Sequence, residues 1–162
     1  MTGRVWKLGD NVDTDVLAPG EYMKFGIDEI AKHCLQALRP EFAASVRPGD
    51  VIVAGRNFGV GSSREQAPEA LRHLGVAAVV AESFAGLFYR NALNLGLPVV
   101  TSADCAGVED GAQLFVDPER GEMTLEPGTH KLRCEAIPPF LMEMVRAGGL
   151  MPHLEHKLKA KP

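Results

Sequence analysis

No apolar stretch in the 162 residues reaches the roughly 18 needed to cross a bilayer. The N-terminus also lacks the charged start and apolar run of a targeting segment. Cysteine is scarce: Cys34, Cys105 and Cys134 are too scattered for a zinc site or a redox dithiol. They read as free thiols in a reducing compartment, so a cytoplasmic protein is expected. An excess of basic charge is missing as well. Against 21 Asp and Glu the chain has 17 Lys and Arg, a net charge of -4, and so no cationic surface suited to nucleic acid. The only cationic cluster is His153 to Lys161. The length predicts one domain over residues 1–152 and a basic, poorly ordered tail over 153–162.

What is present is an alternation of short apolar runs and helical periods. Arg4 to Leu8 opens as a strand, and a polar, loop-rich stretch follows to Gly26. From Asp28, DEIAKHCLQAL places Ile30, Cys34, Leu35 and Leu38 on one side of a helix. Val51 to Ala54 reads as a buried strand. Next comes a helix carrying Ala67, Ala70, Leu71 and Leu74 up to Gly75, beginning near Arg64 or bent at Pro68. Val76 to Ala81, Phe84 to Leu95 and Leu97 to Val100 read as strand, helix and strand, which predicts a parallel or partly parallel sheet covered by helices. A β-rich section follows, with strands in Gln113 to Glu126 and Lys131 to Ala136, and Pro138 to Ala147 forms a helix closed by Gly148-Gly149.

The first buried strand after this alternation begins ends directly in GRNFGVGSSREQAP, Gly55 to Pro68. Gly59 and Gly61 clear side-chain bulk so that backbone N–H groups can approach an anion, and Ser62, Ser63 and Arg64 add hydroxyls and a guanidinium. The known glycine-rich signatures do not fit. A phosphate-binding P-loop needs Lys before Ser or Thr, a dinucleotide fingerprint needs glycine where Arg64 stands, and G-x-S-x-G is absent. Two readings of the residues stand. In one, a serine held by N–H groups and an arginine removes a proton beside a carboxylate, or Arg64 grips a carboxylate with two parallel hydrogen bonds. In the other, Ser62 caps the helix and Arg64 pairs with an acid such as Glu65.

The loop, with NVDTDVLAPGEY before it and AESFAGLFYRNALNLGLPVV after it, resembles the aconitase family and, within it, the small subunits of the 3-isopropylmalate dehydratases. The match runs in order from Gly9 to about Leu150. The resemblance implies an α/β fold, the swivelling β/β/α domain of the aconitase C-terminal or small-subunit type. It also implies a hydro-lyase that is active only with a large subunit carrying a [4Fe-4S] cluster, as a heterodimer or heterotetramer, with no cofactor bound by this chain. Ser62 then matches the base that removes and returns the carbon-bound proton, while Ser63 and Arg64 match substrate contacts. The implied reaction interconverts 2- and 3-isopropylmalate in leucine biosynthesis, with the partner's open iron acting on the hydroxyl.

The substrate-selecting loop of such enzymes falls on Tyr22-Met23-Lys24-Phe25, with Met23, Lys24 and Phe25 as the implied substrate contacts. Relatives acting on tricarboxylates carry arginine where Lys24 stands. A homoaconitase-like or other hydroxy-di- or tricarboxylate enzyme is therefore the alternative, and a non-catalytic anion-binding module is the alternative from another class. Val60 replaces a usual cysteine, and Gly86 replaces a bulky basic residue. Asp13 and Asp15 read either as a paired-carboxylate site or as turn formers. His33 and His73 read as surface or packing residues, and Arg90 and Asn91 as structural or interfacial ones.

Overall fold

The computed structural model describes residues 1–128 and 130–160. Strands β1 (Thr2–Lys7), β2 (Val51–Ala54), β3 (Ala78–Ala81) and β4 (Val99–Thr101) pair in parallel. Strands β5 (Gln113–Asp117), β6 (Glu122–Leu125) and β7 (His130–Arg133) continue the sheet antiparallel from β1, in the order β4-β3-β2-β1-β5-β6-β7. The class is α/β, as the sequence predicts. β2 and β3 are buried at every position, which is why they read as continuous apolar runs rather than alternating ones.

Each step from β1 to β4 moves one place in the same direction. Right-handed crossovers therefore put their helices on one face. α2 (Ile27–Lys32) packs on α4 (Gln66–His73), α4 on α5 (Gly86–Asn94), and α5 on α6 (Pro139–Arg146). Pro68 is the third residue of α4, in the first turn, where its missing N–H has no helical partner to lose. The helix closes where Val76 N–H donates to Leu71 C=O at 3.1 Å, past Gly75, and Leu97 N–H closes α5 onto Ala92 C=O in the same way. Leu114 and Val116 of β5 and Met123 of β6 join the core formed by β1 to β4.

Several expectations need correction. The helix from Asp28 ends at Lys32, because Leu35 takes a left-handed φ of 61° and donates its N–H to Val16 C=O at 2.9 Å. Leu38, expected on the apolar side, is therefore exposed. The loop-rich stretch before Gly26 holds a short helix α1 (Thr14–Leu17) and a 3-10 turn (Gly20–Phe25), and a further short helix α3 (Phe42–Ser45) follows Pro40. Residues 153–159 of the segment expected as a poorly ordered tail belong to helix α7 (Leu150–Lys159), which begins before that boundary. Leu150, Leu154 and Leu158 recur at i, i+4 and i+8 there, a helical period masked in the sequence by the basic residues between them. The last two positions of that tail, 161 and 162, lie outside the described residues. Among the described residues no helix is long and apolar enough to cross a membrane.

The architecture brings the connections leaving the C-terminal ends of β1, β2 and β3 to one edge. Backbone hydrogen bonds stitch them together: Asn11 N–H to Arg56 C=O at 2.8 Å, Gly59 N–H to Val12 C=O at 2.7 Å, and Phe58 N–H to Ser83 C=O at 3.1 Å. Open α/β sheets place ligands at this end of their strands.

Candidate active site

The loop after β2 rests on an aromatic floor. Phe58 is buried and meets Phe84 and Phe88 edge to face at centroid distances of 5.9 and 5.2 Å. Gly59, at φ 83°, lies against the Phe88 ring so closely that a Cβ would run into it. Gly61, at φ 118°, would set a Cβ 2.9 Å from Thr14 Oγ1. Both glycines are thus required by backbone conformation and by close approach. From the opposite side Asn91 of α5 donates Nδ2–H to Ser63 C=O at 2.9 Å, a structural role for that residue.

Held in this way, the loop presents Ser62 and Ser63 exposed and Arg64 half-buried. Arg64 Nε donates to Ser62 Oγ at 2.7 Å. Its Nη1 donates to Ala18 C=O at 2.8 Å and pairs with Asp15 Oδ1 at 3.3 Å. Thr14 Oγ1 accepts the Ser62 backbone N–H at 3.0 Å and lies 3.3 Å from Ser62 Oγ. Of the structural alternative for these residues, the helix cap by Ser62 does not form, while Arg64 does pair with an acid, though not the adjacent one. α4 starts only at Gln66, its N-terminus has no side-chain cap from Ser62, and Arg64 pairs with Asp15 instead of Glu65. Nor does this conformation offer the two-pronged grip on a carboxylate. With Nε and Nη1 engaged, only Nη2 of Arg64 has no protein partner among the described residues.

Asp13 and Asp15 divide the work that the sequence left open. Asp13 Oδ1 accepts Val16 N–H at 2.9 Å and caps α1, while Asp15 Oδ1 accepts Gly20 N–H at 3.0 Å and holds the arginine. Among the described residues neither belongs to a group of three or more potential metal ligands. Sequence reasoning missed Thr14 and Ala18, because their partners lie 48 and 46 residues away. The only local signal was the density of hydroxyl and carboxyl groups in Asp13-Thr14-Asp15.

The 3-10 turn carrying Met23, Lys24 and Phe25 is joined to this cluster through Gly20 N–H on Asp15. Met23 is half-buried and packs on the core, whereas Lys24 and Phe25 are exposed, with Lys24 Nζ 5.1 Å from the Phe25 ring centre. Lys24 makes no hydrogen bond or ion pair with the serine loop among the described residues. Val60 is exposed beside Ser62, and its C=O accepts Thr14 N–H at 2.9 Å. Gly86 opens α5 at the surface, with nothing near the position of a Cβ. His33 stacks on Tyr22 at 3.6 Å, and His73 pairs with Asp28 at 3.1 Å. Both histidines are packing or surface groups, and Arg90 is exposed on α5.

Among the described residues no three His, Cys, Asp or Glu side chains converge on a metal position. Burial pushes the Cys34 and Cys105 thiols above their ordinary range. Burial, with the Asp117 charge, pushes Cys134 up to about 11. Iron–sulfur ligation requires thiolates close together, and these three cysteines do not fit such a cluster.

Residues 40–104 match the family described as the aconitase C-terminal domain. The chain is 49% identical to the methanogen homoaconitase small subunit of Methanothermobacter thermautotrophicus, over 94% of this chain and 89% of that protein. It is 48% identical to the 3-isopropylmalate dehydratase small subunit of Syntrophus aciditrophicus, over 97% of each. A crystal structure of 3-isopropylmalate dehydratase from Methanocaldococcus jannaschii superposes with a TM-score of 0.91 at 40% identity, over 98% of this chain and 95% of that one. Near half-identity along almost the whole length, on the same backbone, is far more specific than a shared glycine loop, and the chain belongs to the aconitase family, among its dehydratase small subunits.

Proposed function

We propose that the chain is the small subunit of a 3-isopropylmalate dehydratase, a hydro-lyase that interconverts 2- and 3-isopropylmalate in leucine biosynthesis together with a large subunit. The observation that carries this reading is the 2.7 Å hydrogen bond from Arg64 Nε to Ser62 Oγ on an exposed loop. A hydroxyl that receives a guanidinium N–H has a lowered proton affinity, as an alkoxide base requires. Its exposure leaves room for a second chain to cover it and exclude water.

In this mechanism the Ser62 alkoxide takes the proton from the carbon bearing the reacting hydrogen and becomes the hydroxyl, while the C–O bond of the neighbouring carbon breaks and its hydroxyl, given a proton by an acid outside this loop, leaves as water. Rehydration in the opposite sense returns that proton. Ser63 and the Nη2 edge of Arg64 hold a substrate carboxylate. Asp15 fixes the guanidinium so that Nε stays on the serine. The [4Fe-4S] cluster, for which this chain offers no ligand set, belongs on this reading to the large subunit, in a heterodimer or heterotetramer.

A second reading has a specific motive: Lys24 is exposed on the turn expected to select the substrate, and one relative is named a homoaconitase subunit. A tricarboxylate would place its extra carboxylate near that ammonium group. Assay of the reconstituted complex on both acids separates the two, and the isopropyl acid is the expected substrate. The chain assayed alone should be inactive, and turnover without a large subunit would end the shared-site reading. Ser62→Ala should lower kcat at least about a thousand-fold with assembly intact. Near-normal turnover in that variant would remove Ser62 as the base.

A further inference from the structure

Thr14 is one of the few polar side chains that the fold buries, at 2% exposure, and the sequence assigns it no role. Its position is determined from three sides. Its N–H donates to Val60 C=O at 2.9 Å, its C=O accepts Ala18 N–H at 2.9 Å, and Gly61 closes over its hydroxyl with no room for a Cβ. Oγ1 already accepts the Ser62 N–H at 3.0 Å, so one lone pair is occupied. Between the two hydroxyls, 3.3 Å apart, either oxygen can donate while Ser62 is a hydroxyl, but once Ser62 is an alkoxide only Thr14 has a proton to give. A Ser62 alkoxide therefore faces two donors, Arg64 Nε and the Thr14 hydroxyl.

We propose that Thr14 is a positioning residue for the reaction, which orients Ser62 Oγ and, as second donor to it, stabilises the serine alkoxide. The proposal rests on the reading of Ser62 as the base. Because Thr14 grips both the backbone N–H and the hydroxyl of one residue, it fixes the rotation of the Ser62 side chain as well as its charge. The charged groups around this pair are Arg64 on the same loop and Asp15 and Asp13 at the start of α1. Asp15 is tied to Arg64, and Asp13 to the Val16 N–H.

The test compares Thr14→Ser, which keeps the hydroxyl, with Thr14→Val and Thr14→Ala, which remove it, in the complex with the large subunit. Assembly is read by size-exclusion chromatography. The hydroxyl-free variants are expected to assemble, to lose about 10- to 100-fold in kcat with KM within about two-fold, and to shift the rising limb of the kcat–pH profile upward. Thr14→Ser should recover kcat to within about three-fold of the wild type. An unchanged kcat and pH limb in Thr14→Val or Thr14→Ala overturns the proposal, and so does an equal loss in all three variants, which would point to the methyl group and packing. Failure of both hydroxyl-free variants to assemble would assign Thr14 to the scaffold and overturn it too. Ser62→Ala, run in parallel, separates the two ideas. If it stays active the base reading itself fails, whereas an inactive Ser62→Ala beside a fully active Thr14→Val removes only Thr14.

Discussion

The two halves of the sheet differ in what lies at their strand ends. In the parallel half, β2 and β3 are buried throughout, and the connections leaving β1, β2 and β3 all emerge at one edge, where they are knitted together by backbone hydrogen bonds. In the antiparallel half, β7 is exposed at most positions, and short connections join strands β5, β6 and β7. Parallel strands force long crossovers, which deliver several loops to the same end, whereas hairpins return the chain at once and alternate their turns between ends. The serine loop finds its distant partners on the parallel side because several connections converge at that edge.

The contrast should break most visibly at Gly59. Gly59→Val adds a side chain into the Phe88 ring at a left-handed backbone position, and denaturant unfolding should show a loss of more than about 3 kcal/mol together with activity. A smaller effect separates the two halves directly. Val80→Thr puts a hydroxyl into the fully buried β3 and should cost about 1–3 kcal/mol, while Lys131→Thr on exposed β7 should stay within about 0.5 kcal/mol of wild type in the same assay. Equal costs would mean that the antiparallel half is as tightly determined as the parallel one.

The smallest expected effect lies at the junction of the halves. There Asp110 accepts from Arg39 Nη1 at 3.1 Å and from the Lys7 N–H at 2.9 Å. The Arg39 hydrogen bond first, and then the Lys7 N–H, hold the Asp110 carboxyl below its usual range. A carboxyl depressed in the folded state contributes stability that is fully present above its unfolded value of about 3.9 and is lost as the pH falls through the lower folded value. Both side chains are partly exposed, so the contribution is below about 1 kcal/mol. Asp110→Asn should leave stability above pH 5 only slightly reduced and flatten its fall in acid, as measured by urea midpoints against pH.

Much of the fold was legible because its signals are local. The apolar runs of β2 and β3 and the Gly75 helix end each follow from neighbouring residues, whereas the place of Pro68 in the first turn of α4 was decided only by the structure. α2 was read too long because the left-handed turn at Leu35 depends on Val16, far back in the chain. α7 was missed because its charges masked a leucine period. In the site, the glycines, serines and arginine were visible as a group, but their partners were not. Thr14, Asp15 and Ala18 reach Ser62 and Arg64 across 48, 49 and 46 residues.

The sequence by itself determined the family resemblance, the order of the strands and of the helices between them, α1, α3 and α7 excepted, and the loop in which Ser62, Ser63 and Arg64 stand, since periodicity, glycine conformation and long motifs in register are properties of the chain read in order. Only the tertiary structure decided which atoms face the serine. Hydrogen-bond partners are chosen by proximity in space, and here the sheet, by placing the ends of β1 and β2 side by side, sets Asp15 rather than the adjacent Glu65 on the arginine and Thr14 beneath Ser62.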